Sequence, residues 1–198
     1  MKEQNQTILN LRESDDLDNY IEVTFPSKSE NEKLARNIVA SILLELNPTV
    51  EELSDIKTAV SEAVTNSIVH GYKNSSGEVC LICKLKNDLV YICISDNGIG
   101  IENIEKAMQP FFTTGPEGER SGMGFTVMET FMDEVQVENK SGGGLRVELV
   151  KKINSAKRGE DARIWVDWCK RNIKSNTKST VWRNRSKTKI IRWKLPLN

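Results

Sequence analysis

A carboxylate followed by two closely spaced glycines is the first group in this chain with an evident chemical use. Asp96 follows an apolar run over residues 90–94, so it lies where a predicted strand ends. Gly98 and Gly100 let the backbone turn sharply and approach a ligand closely. This combination suits a nucleotide site, although the pattern alone is weak evidence for one.

Two further segments strengthen that interpretation. Glu62 and Asn66 are four residues apart, so they project from the same face of a helix. Gly122 and Gly124 precede an apolar-periodic segment, and a glycine-rich loop that opens a helix presents free N–H groups to phosphate. The three elements are separated by about 30 and about 20 residues, and together they favour a nucleotide site far more strongly than any one of them.

Composition divides the chain near residue 153. The 198 residues carry no net charge, but residues 1–150 hold 13 Lys and Arg against 25 Asp and Glu, whereas residues 151–198 hold 15 against 3. All four tryptophans lie in the second part. The apolar stretches are too short to span a membrane, and the N-terminus has no apolar signal region, so we expect a soluble, cytoplasmic protein.

The cysteine pattern favours reduced thiols over a metal site. Cys80 and Cys83 lie three apart in a predicted strand, so their side chains point to opposite faces of the sheet. The chain has one histidine, His70, and no second cysteine pair with this spacing, which makes zinc binding the weaker interpretation. We expect the thiols to pack as small apolar groups.

Hydrophobic periodicity predicts an α+β domain after a polar, flexible extension at residues 1–17. The predicted elements are a strand at 21–25, a helix capped by Ser29, a helix from Thr49 to about Tyr72, strands at Glu78–Lys86 and 89–96, a short helix at 103–108, a loop at 110–121, a helix at 122–133, and strands at 135–138 and 145–150. The predicted apolar stripes of the first two helices are Leu34, Ile38, Ile42 and Leu46, and Leu53, Ile56, Val60, Val64 and Ile68. This order predicts a two-layer sandwich, a mixed sheet with helices on one face.

Three segments resemble the GHKL ATPase superfamily, whose members share the Bergerat ATP-binding fold. They are residues 56–66, 70–72 and 119–125. The resemblance covers about two-thirds of the chain, residues 19–151. Within the superfamily the chain is similar to the anti-sigma F branch, because it is small, lacks a dimerisation helix bearing a phosphoacceptor histidine, and carries a matching segment from Phe111 to Phe125. A kinase domain at residues 18–153 is therefore expected.

The resemblance implies an ATP-dependent protein serine kinase that is also an anti-sigma factor. Members of this branch sequester a sporulation sigma factor and phosphorylate an anti-anti-sigma protein on serine. A homodimer that uses ATP or ADP with Mg²⁺ is implied, with no membrane and no direct nucleic-acid partner. The alternative is a nucleotide-gated binding protein without efficient kinase activity.

The resemblance also assigns roles to residues of the three segments. Glu62 is the general base that takes a proton from the acceptor hydroxyl, and Asn66 is a Mg²⁺ ligand. Asp96 accepts a hydrogen bond from the adenine amino group, while Gly98 and Gly100 let the purine pack against the backbone. The simpler alternative for Glu62 and Asn66 is an exposed helix face without a ligand.

An ATP lid is implied at residues 112–121. The residues of the lid and its flank that are assigned to nucleotide binding are Thr113, Thr114, Ser121, Gly122 and Gly124. Gly115 and Gly118 make this lid more flexible than is usual in the family. Leu145 stands where the family commonly has a threonine that assists a water-mediated adenine contact. These departures motivate the binding-protein alternative.

Partner contacts are implied at three residues. Arg36 matches the family arginine that contacts the sigma factor and the antagonist, and Glu119 and Arg120 are placed for partner or phosphate contacts. A surface arginine can equally be only solvated.

The basic, Trp-rich tail at residues 154–198 has three interpretations. It binds nucleic acid or an acidic partner, it is a disordered appendage, or it is not native coding sequence. The last two are favoured, because the kinase pattern stops near residue 153 and the tail has no hydrophobic periodicity.

Overall fold

The computed structural model describes residues 4–73, 75–110, 122–154 and 191–194. The expected ATP lid and nearly all of the basic tail lie outside these residues. In the part of the chain that is described, no helix is both long enough and apolar enough to cross a membrane.

A six-stranded sheet with the order β4-β5-β3-β2-β1-β6 forms one layer. Its strands are β1 Asn19–Pro26, β2 Glu78–Lys86, β3 Leu89–Ser95, β4 Glu134–Asn139, β5 Leu145–Lys152 and β6 Ile191–Lys194. All neighbouring strands are antiparallel except β6, which pairs with β1 in parallel. Four residues of the tail therefore extend the sheet at its β1 edge.

Three of the helices form the second layer and confirm the α+β class. The helices are α1 Gln4–Glu13, α2 Glu30–Leu43, α3 Val50–Asn66, α4 Ile104–Ala107 and α5 Gly124–Phe131. A single π-helical turn, Ser67–Gly71, extends α3, where the sequence predicted one helix to about Tyr72. Helices α2, α3 and α5 pack over the inner face of the sheet.

The core follows the predicted periodicity closely in the strands and less closely in α2. Alternate residues of β2 are buried, as a half-buried strand requires. Ile56, Val60 and Val64 of α3 are fully buried, as predicted. In α2 the buried residues are Ala35, Val39, Ile42 and Leu43. Of the predicted stripe, Ile42 is buried, as is Leu46 in the turn after the helix, but Leu34 and Ile38 are only partly buried.

The helix α3, which carries Glu62 and Asn66, begins at the predicted cap. The Thr49 side chain accepts a hydrogen bond from the Glu52 N–H, and the Glu52 carboxylate accepts one from the Thr49 N–H. This reciprocal pair satisfies two backbone donors at the helix start. Ser29 is the N-cap residue of α2, as predicted, but its side chain makes no capping hydrogen bond.

The N-terminal segment differs from the expected flexible extension. Residues 4–13 form α1, which lies on the outer face of the sheet, opposite the other helices. Ile8 and Leu11 are buried there against Tyr91, Cys93 and Val150 of β3 and β5. The apolar residues that β3 and β5 present to this face require a cover, and the spacing of Ile8 and Leu11 supplies it.

A buried carboxylate also holds α1 in place. The Glu148 side chain is fully buried on the outer face and accepts hydrogen bonds from the Arg12 guanidinium and the Tyr91 hydroxyl. Arg12 also contacts Glu138 of β4 at 3.3 Å. Because an unpaired buried carboxylate is costly, these partners tie α1 to the β4–β5 hairpin.

Shortening Ile8 to Val is expected to lower the free energy of unfolding by about 0.5–1.5 kcal/mol, the usual result of losing one buried methyl group. Chemical denaturation of the full chain measures it. Leu9→Ala is the control, because Leu9 is 39% exposed and should change stability by less than about 0.5 kcal/mol. Equal effects of the two variants would show that α1 does not dock in solution.

Candidate functional site

A single cleft brings the predicted site residues together. It has a volume of about 1180 Å³ and lies between the C-terminal half of α3, the loop after β3, the start of α5 and the β4–β5 hairpin. Among the residues lining it are Glu62, Asn66, Asp96, Gly100, Gly122 and Gly124. This volume is slightly above the usual range of about 300–1,000 Å³ for small-molecule sites, so the cleft has room for a nucleotide-sized ligand.

The Asp96 carboxylate is held by one oxygen and leaves the other unused. Asp96 is 1% exposed, and its Oδ1 accepts hydrogen bonds from the N–H groups of Gly98 at 2.9 Å and Leu145 at 3.2 Å. The buried Oδ2 has no hydrogen-bond partner among the described residues. A buried acceptor without a partner is costly, so this oxygen is suited to a donor that the ligand supplies.

Two glycines permit the close packing around this carboxylate. A Cβ at Gly98 would lie 2.1 Å from the Gly71 carbonyl oxygen, and one at Gly144 would lie 2.2 Å from the Asp96 carbonyl oxygen. Gly144 also has a φ of 90°, a conformation that other residues rarely adopt. Three backbone segments therefore meet at the base of the cleft without side chains between them.

Another part of the cleft combines a carboxylate, an amide and a helix start. A Cβ at Gly124 would lie 3.1 Å from Glu62 Oε2 and 3.2 Å from Asn66 Nδ2, so the beginning of α5 is next to both side chains. Within the described residues, no side chain caps the N-terminus of α5 at Met123. Its first N–H groups can therefore bind an anion such as phosphate.

This arrangement fits a Mg²⁺–nucleotide complex. Mg²⁺ needs few protein ligands, since phosphate oxygens and water complete its octahedron. The Asn66 side-chain oxygen is a suitable hard ligand and lies one helical turn from the Glu62 carboxylate. The orphan Asp96 oxygen and the uncapped start of α5 both face this cleft, the first suited to a base and the second to a phosphate chain.

Tyr72 lies in one of the segments that carry the resemblance, but the sequence analysis gave it no role. Its hydroxyl donates a hydrogen bond to the Glu78 carbonyl at 2.5 Å and accepts one from the Asn97 N–H at 2.9 Å. Burial raises the pKa of the Tyr72 phenol above its usual value, so the hydroxyl stays protonated at neutral pH. Tyr72 therefore anchors the loop that follows Asp96.

Leu145 occupies the position where a threonine was expected from the resemblance. Its side chain is buried in the inner core, and its backbone N–H contacts Asp96 Oδ1. The side chain supplies no hydroxyl to the cleft.

The remaining predicted residues are placed as follows. Gly100 and Gly122 both have positive φ angles, 69° and 64°, and line the cleft. Arg36 lies on α2, where its Nε is 3.1 Å from Glu32 Oε1. The predicted residues Thr113, Thr114, Glu119, Arg120 and Ser121 lie outside the described residues.

The cysteines of the sheet are free thiols. Burial raises the pKa of both Cys83 and Cys93 to about 12, so neither is a thiolate at neutral pH. In the described ranges, no group of three or more His, Cys, Asp or Glu side chains is placed to hold a metal ion.

Comparisons with known proteins agree on one family. A model of the histidine kinase-like ATPase domain matches residues 25–151. A curated protein of Clostridium kluyveri named anti-sigma F factor is 55% identical over 138 residues, which are 70% of this chain and 97% of the relative. The anti-sigma F factor of Clostridium perfringens is 51% identical over 140 residues, 70% of this chain and all of the relative.

A solved structure agrees with the fold. The RsbU and RsbW domains of a Mycobacterium tuberculosis protein match with a TM-score of 0.50 at 19% identity, over 68% of this chain and 32% of that one. At this identity the likeness concerns the fold alone.

Proposed function

The chain belongs to the anti-sigma F factor family and carries its histidine kinase-like ATPase domain, and we propose that it is an ATP-dependent protein serine kinase that also sequesters a sigma factor. The observation that carries the nucleotide part is the buried, unpartnered Oδ2 of Asp96. The adenine amino group supplies the donor that this oxygen lacks, and guanine would present an acceptor there instead.

Glu62 is the proposed general base. It lies beside the N-terminus of α5, so an acceptor hydroxyl that approaches bound phosphate would meet the carboxylate. Mg²⁺, held by Asn66 and the phosphates, would neutralise charge on the transferring phosphoryl group. The uncapped N–H groups at the start of α5 would bind the phosphate chain.

The proposed protein substrate is an anti-anti-sigma protein phosphorylated on serine, and the proposed binding partner is a sporulation sigma factor. This part rests on the family membership and on Arg36. Glu32 forms an ion pair with Arg36 at 3.1 Å and accepts a hydrogen bond from the hydroxyl of Ser61, the residue before Glu62, so Arg36 is held near the junction of α2 and α3. A partner bound at Arg36 would therefore lie near the proposed base. We propose a homodimer as the functional form, as the resemblance implies.

Transfer of labelled phosphate from ATP tests this proposal. The full chain is incubated with Mg²⁺, labelled ATP and a candidate anti-anti-sigma protein, and the product is analysed for phosphoserine. Phosphoserine on the added protein supports the kinase. Nucleotide-dependent retention of a sigma factor without transfer would instead support the nucleotide-gated binding protein, for which the missing hydroxyl at Leu145 is the motivating observation.

Arg36→Ala is expected to weaken sigma-factor binding by about 1–2 kcal/mol, the loss typical of an arginine anchor. ATP affinity should not change, because Arg36 does not line the nucleotide cleft. Lys33→Ala removes an exposed charge from the same helix and is the matched control. Normal sigma-factor retention by Arg36→Ala in a titrated pull-down would contradict the assignment.

A further inference from the structure

We propose that Asn139 and Lys140, at the end of β4, are positioning residues that hold the loop of residues 96–101 in the geometry that recognises adenine. The inference rests on the nucleotide site proposed above and assigns a role to two residues that no family motif identified. Neither residue is proposed to take part in phosphotransfer.

Lys140 fixes the beginning of the loop. Its Nζ donates hydrogen bonds to the Asp96 carbonyl oxygen at 2.9 Å and to Asn97 Oδ1 at 2.6 Å. A charged donor makes stronger hydrogen bonds than a neutral one, and here both acceptors belong to consecutive residues of the loop. The peptide plane after Asp96 is therefore fixed, and with it the backbone from which the carboxylate projects.

Asn139 fixes the end of the loop. Its Nδ2 donates to the Ile101 carbonyl oxygen at 2.7 Å, and its Oδ1 accepts from the Ile101 N–H at 2.9 Å. The contact is close enough that a Cβ at Gly100 would lie 2.6 Å from Asn139 Oδ1. One amide side chain thus satisfies both backbone groups of Ile101, as a neighbouring strand would.

The same hairpin also holds the recognising carboxylate itself. The Lys140 N–H donates to the Gly144 carbonyl, which closes the turn and places Leu145 against Asp96. Asp96 and Leu145 then exchange two contacts, since the Asp96 N–H donates to the Leu145 carbonyl and the Leu145 N–H donates to Asp96 Oδ1. The β4–β5 hairpin therefore contacts the loop at its start, at its end and at its functional group.

The contacts that Lys140 and Asn139 make with the loop bear on adenine recognition in this chain. A hydrogen bond to a base contributes most when its acceptor is fixed before the ligand arrives, because ordering the loop on binding costs free energy. Leu145 supplies no hydroxyl to the base, so recognition depends on the direction of the Asp96 carboxylate. Lys140 and Asn139 hold the backbone from which that carboxylate projects.

The test uses the full chain and measures binding of ADP, adenosine and tripolyphosphate by calorimetry. Lys140→Met keeps the length of the stem and removes the ammonium group. We expect ADP and adenosine to bind about tenfold more weakly, the scale of one lost charged contact, while tripolyphosphate binding is unchanged. Lys140→Arg should restore most of the affinity, and Asn139→Ala should reproduce the loss.

Three results would overturn the inference. Unchanged ADP affinity in Lys140→Met would show that the contact does not position the loop. An equal loss of affinity for tripolyphosphate would show that the Lys140 ammonium group binds the phosphates. Lys33→Met removes the same charge from the exposed face of α2. A similar loss of ADP affinity in this variant would show that the effect comes from the net charge of the protein and not from the contact of Lys140 with the loop. If the unmodified chain binds no adenine nucleotide, the proposed function itself fails, which is a distinguishable outcome.

Discussion

Glu62→Gln is expected to bind ATP as the unmodified chain does and to transfer phosphate about 10²- to 10⁴-fold more slowly, the usual contribution of a general base. The amide has the shape of the carboxylate, so the packing of α3 against the start of α5 is kept. It cannot accept the hydroxyl proton. Single-turnover transfer to the anti-anti-sigma protein measures the chemical step without product release.

The matched control for this prediction is Glu51→Gln. Glu51 lies in the first turn of the same helix, is exposed, and is remote from the cleft. It should leave both affinity and transfer rate unchanged. An unaltered transfer rate in Glu62→Gln would remove Glu62 from the role of base and leave the carboxylate as a packing partner of Gly124. A large loss of ATP affinity would assign it to binding instead.

The positions of Glu62, Asn66 and Asp96 on the secondary structure were predictable because their signals are local. The four-residue spacing of Glu62 and Asn66 requires only that α3 is helical, and Asp96 required only that an apolar strand ends there. Both features can be recognised from the hydrophobic periodicity of the sequence. The apolar residues that this periodicity identifies in α3 and β3 are buried in the structure. The glycines at 98 and 100 are recognisable for the same reason, since a turn after a strand is a local event.

The supporting contacts were not predictable in this way. Lys140 contacts residues more than 40 positions earlier in the chain, and Tyr72 contacts Asn97 across 25 positions. A lysine in a hairpin turn and a tyrosine after a helix carry no local sign of such a partner. The docking of α1 was missed because its composition is polar. Two buried apolar residues, together with the pairing of Arg12 with the buried Glu148, hold it on the sheet.

The stripe of α2 shows a further limit of periodicity. Leu34 and Ile38 have the helical spacing that the prediction used, but Ala35 and Val39 are the residues that face the core. The small Ala35 lets α2 approach its neighbours closely, which a larger side chain at that position would prevent. Which of two adjacent apolar rows is buried depends on the partner surface, and the sequence of the helix does not specify it.

Asp96→Asn is expected to weaken ATP binding by about 1–3 kcal/mol, and the reason lies in the orientation of the new amide. The N–H groups of Gly98 and Leu145 both point at Oδ1. The asparagine must therefore place its carbonyl oxygen there, which puts its NH₂ group where Oδ2 was. A donor would then face the adenine amino group, also a donor.

This orientation makes the prediction specific for the base. Inosine triphosphate presents a carbonyl oxygen where ATP has the amino group, so the preference of the unmodified chain for ATP over the inosine nucleotide should shrink or reverse in Asp96→Asn. Calorimetry with both nucleotides measures the change. Asp88→Asn, in the β2–β3 turn, makes the same chemical change away from the cleft and should alter neither affinity. An equal loss for both nucleotides would mean that the carboxylate supports the fold of the loop without contacting the base, and wild-type ATP affinity would remove Asp96 from adenine recognition.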